Sequence, residues 1–252
     1  MARPLEANLV LHCGGHQVSY QDLQQVKTPD PEGIWHPLDH TTIFQTMMDA
    51  LTTSKYQVMQ SVHALSANGA NYFGLAQVNA DFLDTEEYGL VVGFRNSHNK
   101  QFSASMVAGA QVFVCDNLSF SGEVSFKHKH TTNVLDKLPE LFMMGVGQLN
   151  TLYLNQERRY SAYKQHEFDP HKAEELIVNM YRQKIFNSRE LGHMIDVYDN
   201  PSYDEYGKNT AWTMFNAGTE VVRGKLGKLP KVTMNLHQVL DGECYEELKE
   251  AA

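Results

Sequence analysis

The sequence predicts an α+β protein: an N-terminal antiparallel β-sheet with one crossing helix, followed by a helical C-terminal half. Three observations carry this reading. Up to His130, apolar residues fall in short β-branched and aromatic runs bounded by Gly, Asn, Ser and Asp, the pattern of consecutive strands. From Asn133 onward they recur at helical spacing. A chain of 252 residues with 42% apolar and 20% charged side chains can bury a sizeable core. The division falls into a mostly β region over residues 1–131 and a helical region over residues 132–252, packed together as one unit.

The elements follow in order. Asn8 to His12 and Gln17 to Tyr20 read as strands around Cys13-Gly14-Gly15-His16, and a short helix covers Tyr20 to Val26. Pro29, Pro31 and Pro37 make Thr28 to Asp39 a loop. Ile43, Phe44, Met47, Met48 and Leu51 place one face of a helix over Thr41 to Thr53. Tyr56 to Ser66 and Asn71 to Val78 are strands joined at Asn68-Gly69, a two-residue hairpin signal. Leu90 to Phe94, Met106 to Val107, Gln111 to Cys115 and Val124 to His130 complete the strands. In the last, Phe126, His128 and His130 alternate with Ser125, Lys127 and Lys129.

In the second half, leucines between Leu138 and Leu154 predict one long helix or two, ending before Phe168, with Pro139 near the first turn. Asp169-Pro170 reads as cap and first residue of a helix through Lys184. Further helices are expected at Ser188 to Val197, Thr210 to Val222 and Val232 to Leu240, with an acidic, frayed tail after Asp241.

No apolar run approaches the roughly 18–20 residues of a membrane span. The N-terminus has no long apolar signal core, so a cytoplasmic protein without a membrane partner is expected. Cys13, Cys115 and Cys244 are odd in number and widely spaced, which does not suit a disulfide framework. The net charge of -9 is uneven. Residues 1–94 hold 3 basic and 10 acidic side chains, residues 95–189 hold 12 and 9, and residues 190–252 hold 6 and 11. The middle third alone is positive, a hint of a polyanion-binding face.

That positive third contains Gly93-Phe94-Arg95-Asn96-Ser97-His98, then Ala108-Gly109-Ala110-Gln111-Val112-Phe113-Val114-Cys115-Asp116-Asn117, then Ser121-Gly122 and a basic, histidine-bearing strand. Through these segments the chain resembles the phage/plasmid-like proteins of domain of unknown function family 932. The resemblance implies a setting among mobile elements, where such genes often lie near single-strand DNA-binding and recombination genes. It implies no settled activity.

The chemistry therefore rests on the residues. Arg95, Asn96, Ser97, His98 and Lys100 are expected to point outward together from one short loop that holds a phosphate. Lys127 and Lys129 share a strand face, and Arg158, Arg159 and Lys164 end a helix, all suited to phosphate oxygens. Tyr72, Phe94, Phe102, Phe113, Phe120 and Phe126 offer rings for unpaired bases or, for at least half of them, for the core.

His12, Cys13 and His16, with His36, Asp39 and His40, are a conceivable zinc set, but their spacing fits no usual pattern and no metal or other cofactor is assigned. Cys115 as a nucleophile, with His98 or His128 as base, is outweighed by Cys115 as a small buried hydrophobe. No phosphate-binding G-x-x-x-x-G-K-[ST] loop and no dinucleotide G-x-G-x-x-G motif occurs. The expected function is non-enzymatic binding of single-stranded DNA by a homo-oligomer that assists annealing or recombination. The alternative is an interaction protein that binds and inhibits a host defence or regulatory protein. A metal-dependent enzyme is the third reading.

Overall fold

The computed structural model describes residues 15–79, 88–112, 118–223, 225 and 228–250. Six antiparallel strands follow one another across a single sheet in chain order: β1 (His16–Val18), β2 (Gln57–Ser66), β3 (Asn71–Asn79), β4 (Tyr88–Ser97), β5 (Ala104–Val112) and β6 (Leu118–His128). Helix α1 (Tyr20–Gln24) and helix α2 (His40–Thr53) lie between β1 and β2. The remaining helices follow the sheet, so the fold is α+β as the sequence predicts. Among the described residues no helix is long and apolar enough to cross a membrane.

Helix α2 starts where Asp39 caps it. The Asp39 carboxylate accepts hydrogen bonds from the amides of Thr41 (2.7 Å) and Thr42 (3.3 Å). Ile43, Met47, Ala50 and Leu51 then form its buried stripe. Phe44 packs towards Phe94 of β4, with ring centroids 6.0 Å apart, and Tyr72 meets the same ring edge-on at 5.8 Å. Gly74, paired with Phe94 across the sheet, makes room for it: a Cβ there would come within 2.0 Å of the ring.

Three local expectations need correction. Met106 to Val107 and Gln111 to Cys115, expected as separate strands, share one strand as far as Val112, β5. The β2–β3 connection is a four-residue loop, because Ser66 pairs with Asn71 and residues 67–70 stand outside the ladder. Ala67, Asn68 and Gly69 all have positive φ, so the chain turns over three left-handed residues where a two-residue hairpin needs only two. Strand β4 also runs past Phe94 to Ser97, which puts Arg95, Asn96 and Ser97 in the ladder and moves the turn to residues 98–103.

Of the two arrangements expected after the sheet, the structure has two helices, α3 (Val134–Gly147) and α4 (Leu149–Gln165), meeting at Gln148. Pro139 lies in the second turn of α3, not the first, and leaves the Leu135 carbonyl without its helical donor. Leu135 is 56% exposed, so water can take that bond. Helix α5 (Pro170–Arg182) begins with Pro170 and is capped by Asp169. Helix α6 (Ser188–Asp199) has a full capping box between Asn187 and Glu190. Helix α7 (Ala211–Val221) is buried almost all round and forms the centre of the helical half.

Helices α8 (Leu229–Glu243) and α9 (Tyr245–Glu250) replace the expected frayed tail. Its acids are ordered by partners from α4, α5 and the link between them: Arg159 meets Asp241 at 2.9 Å, Lys172 meets Glu243 at 2.9 Å and the His166 ring meets Glu247 at 2.7 Å. Cys244 is a buried free thiol beneath them, with its pKa pushed up to about 12 by burial. One buried cluster joins sheet and helices, with α2 against α3, α4 against β5 and α8 along β6.

Candidate nucleic-acid interface

Because side chains alternate along a strand, the end of β4 sends Phe94 and Asn96 to the α2 side of the sheet and Arg95 and Ser97 to the other. The motif is therefore split between two environments.

On the α2 side, Asn96 is fully buried at the centre of a histidine knot. Its Nδ2 donates to the Leu38 carbonyl (2.6 Å) and to His40 Nδ1 (2.9 Å). Its Oδ1 accepts from His130 Nε2 (2.6 Å). His98 Nε2 donates to the same Leu38 carbonyl (2.8 Å), and His40 Nε2 donates to the Gly69 carbonyl (3.0 Å). Carbonyl oxygens only accept, so each of the three imidazoles carries its proton on Nε2. His40 and His98 lie stacked, with centroids 3.8 Å apart and planes 6° from parallel.

Each of these rings is held neutral. Burial first, then His98, lowers the pKa of His40 to about 4, while the Gly69 carbonyl acts in the opposite direction. Burial and then His98 and His128 bring His130 to about 4, and burial lowers His98. The adjoining His63, also lowered to about 4 by burial, bonds Tyr72 at 2.8 Å. The knot ties five stretches of chain: the 28–39 loop, the start of α2, the 67–70 turn, the end of β4 and the segment after β6.

On the opposite side, cross-strand pairing aligns Phe73, Arg95, Ser105 and Lys127 in one row over β3 to β6. Arg95 Nε donates to Ser105 Oγ (2.9 Å), and its guanidinium lies 5.0 Å from the centroid of the Phe102 ring. Phe102 in turn meets Phe73 at 5.4 Å. Arg95, Phe73 and Phe102 are partly exposed and Lys127 is exposed. Burial lowers the pKa of Arg95, yet a guanidinium stays charged at neutral pH. This arrangement offers a held guanidinium, with an exposed lysine in the same row, beside two rings.

The nine expected contact residues thus separate. Asn96, Ser97 and His98 do not face outward as expected: Asn96 and His98 are locked in the knot, and Ser97 Oγ donates to the Phe102 carbonyl (2.8 Å) within the turn. Arg95 and Lys127 come together in the row. Lys100 tops the turn, ion-paired with Glu32 and 4.8 Å from the centroid of the Trp35 ring. Lys129 is exposed just beyond β6.

Arg158 is exposed on α4, whereas Arg159 is held by Asp241 at the end of a buried chain. Gln156 Nε2 donates to His237 Nε2, His237 Nδ1 to Tyr163 Oη, and Tyr163 Oη to Asp241, at 3.2, 3.0 and 2.6 Å. Burial drives the His237 pKa well down and that of Tyr163 well up.

Of the expected rings, Tyr72 and Phe94 belong to the core and Phe102 to the row. Phe113 and Cys115 lie outside the described residues, as do His12 and Cys13 of the conceivable zinc set. Asp39 is spent on the α2 cap and His40 on the knot. Among the described residues no group of three or more His, Cys, Asp or Glu is placed to hold a metal ion.

Residues 33–234 match the family model described as a domain of unknown function, DUF932. The chain belongs to that family. The match spans the α2 start, the knot, the basic and aromatic row and α3 to α7, so the site lies within the family domain apart from Glu32. No curated protein and no solved structure matches the chain. Sequence reading missed Glu32, Leu38, Phe73 and Ser105 as partners of the DUF932 motif. The Asp-His-Thr-Thr start of α2 was the one available signal, a helix cap carrying a histidine into the core.

Proposed function

We propose that the protein is a non-enzymatic single-stranded DNA-binding factor, phage- or plasmid-encoded and acting in the host cytoplasm, that assists annealing or recombination. The observation that carries this reading is the Phe73–Arg95–Ser105–Lys127 row with Phe102 against Arg95. Unpaired bases stack on rings whatever their sequence, while cations follow the phosphates, and single-strand binding needs both within one nucleotide's reach.

Arg95, Lys100, Lys127 and Lys129 are the phosphate contacts in this reading, with Arg158 as an outlying one. Asn96, Ser97 and His98 position the strand that carries Arg95. The test is fluorescence anisotropy with a labelled single-stranded oligonucleotide, duplex alongside, at two salt concentrations. Binding that favours the single strand and weakens with salt by about 0.7 log units per contact for each tenfold rise supports the reading. No binding at low salt removes it.

The second reading, a protein that binds and inhibits a host factor, draws on exposed apolar side chains. Leu135, Met143 and Met144 of α3 and Leu154 of α4 are between 39% and 59% exposed. The same side chains suit contacts between copies in a homo-oligomer. Light scattering distinguishes self-association from a monomer that must find its partner elsewhere.

A further inference from the structure

Of the phosphate contacts proposed above, Lys100 is the one that a described ion pair already gives an anion. The segment that supplies this anion is built for the purpose. Glu32 and Trp35 exchange both backbone hydrogen bonds (2.9 and 3.0 Å) around Gly33-Ile34, and Gly33 adopts φ +58° to close the turn. This miniature hairpin sets the Glu32 carboxylate and the Trp35 indole on the same ammonium group. Lys100 reaches it from its own left-handed position, φ +63°.

The hairpin is fastened to the sheet as well. Trp35 bridges to Thr131, His36 N donates to the His130 carbonyl (3.1 Å), and the Leu38 carbonyl takes bonds from both Asn96 and His98. The histidine knot is thus the anchor of an acidic strap, and the strap ends on a lysine at the edge of the basic row.

We propose that the Glu32–Trp35 hairpin is an autoinhibitory clasp, in which the Glu32 carboxylate holds Lys100 back from polyanions until a phosphate displaces it. The inference rests on the single-strand reading above. Glu32 and Lys100 side chains are 75% and 51% exposed, so the pair opens readily and the phosphate of an arriving strand can compete for the ammonium. Carboxylate and phosphate oxygens offer Lys100 the same kind of partner, while the indole face retains the ammonium only weakly at an exposed site. The clasp sets a threshold: a strand already held on Arg95 and Lys127 can open it, and an isolated anion cannot.

The experiment compares wild type, Glu32→Gln, Lys100→Ala and the double variant in oligonucleotide anisotropy, with Trp35 emission followed in a Trp212→Phe background. Glu32→Gln should tighten single-strand binding about two- to fivefold at low salt, the range an exposed ion pair permits. The gain should vanish when Lys100→Ala is added. Trp35 emission should shift on oligonucleotide addition in wild type and be shifted beforehand in Lys100→Ala.

Equal affinity of wild type and Glu32→Gln overturns the clasp while leaving the binding reading intact. A gain that survives Lys100→Ala overturns it too, because the carboxylate would then act through general charge alone. Absence of single-strand binding in all four proteins removes the functional reading and the inhibitory role with it, and Trp35 emission then still reports whether Lys100 occupies the hairpin.

Discussion

Asn96 shows how far one side chain can organise a site. Its amide satisfies a carbonyl 58 residues away, a histidine 56 residues away and another 34 residues away. Replacing it with leucine leaves the His130 donor and the His40 acceptor buried without partners. Each such orphan costs about 1–3 kcal/mol, so Asn96→Leu should lower the unfolding free energy by about 3 kcal/mol in urea denaturation. An unchanged midpoint would mean that the knot contributes nothing.

The same residues fix a pH dependence. His40 and His130 have folded pKa values of about 4 against the ordinary 6.5, so the unfolded chain binds more protons between these limits. Stability is then full above about pH 6.5 and falls on acidification, by about 1.4 kcal/mol per pH unit for each histidine. Urea midpoints at pH 7.5 and 5.0 check this. Glu190, held at about 2 between Lys225 and Lys228, acts only in the lower window below 4.5. Equal midpoints would contradict the neutral knot.

At the scale of elements, apolar periodicity and the Asp169-Pro170 pair in the sequence placed the helices well, and the structure adds caps that the sequence reading did not use. Asp39, Asp169 and Thr210 stand where helices start because their side chains bond the free amides of the first turn. Two features were not legible. The alternation in β4 cannot tell which side faces α2, and the strand continues into polar residues that local propensity assigns to a turn. A polar strand end is stable here because distant partners satisfy it, and those partners leave no local signal. Acidic residues after Asp241 likewise look solvated until their partners arrive from α4, α5 and the segment between them.

Sheet packing offers its own test. Gly74→Ala would place a methyl carbon within 2.0 Å of the edge of the Phe94 ring, so it should cost about 1–3 kcal/mol of stability through overpacking. A neutral Gly74→Ala would show that Phe94 has room to move.

For the whole molecule, the formal charge of -9 hides a division of labour. Acidic residues at the C-terminal end neutralise cations within the helical half, as in the Arg159–Asp241 and Lys172–Glu243 pairs. Arg95 and Lys127 in the sheet and Lys129 just beyond it have no acidic partner in any described ion pair. A net charge therefore says little about how charge is spread over the surface, and the positive third of the chain is where the Arg95–Lys127 row lies. Sequence located the motif, and the fold assigned half of it to architecture and half to a surface.

The most direct test of that surface is single-strand anisotropy with the Arg95→Ala/Lys127→Ala double variant, alongside Phe102→Ala and wild type, across a salt series. The account predicts that the double variant binds more weakly, with a salt slope shallower by about 1.4, two contacts at 0.7 each. Phe102→Ala should lose about 1–3 kcal/mol of binding with the slope preserved, because a ring stacks on bases and releases no counterions. Folded variants with wild-type affinity and slope would contradict the account and leave the row a structural feature of the sheet.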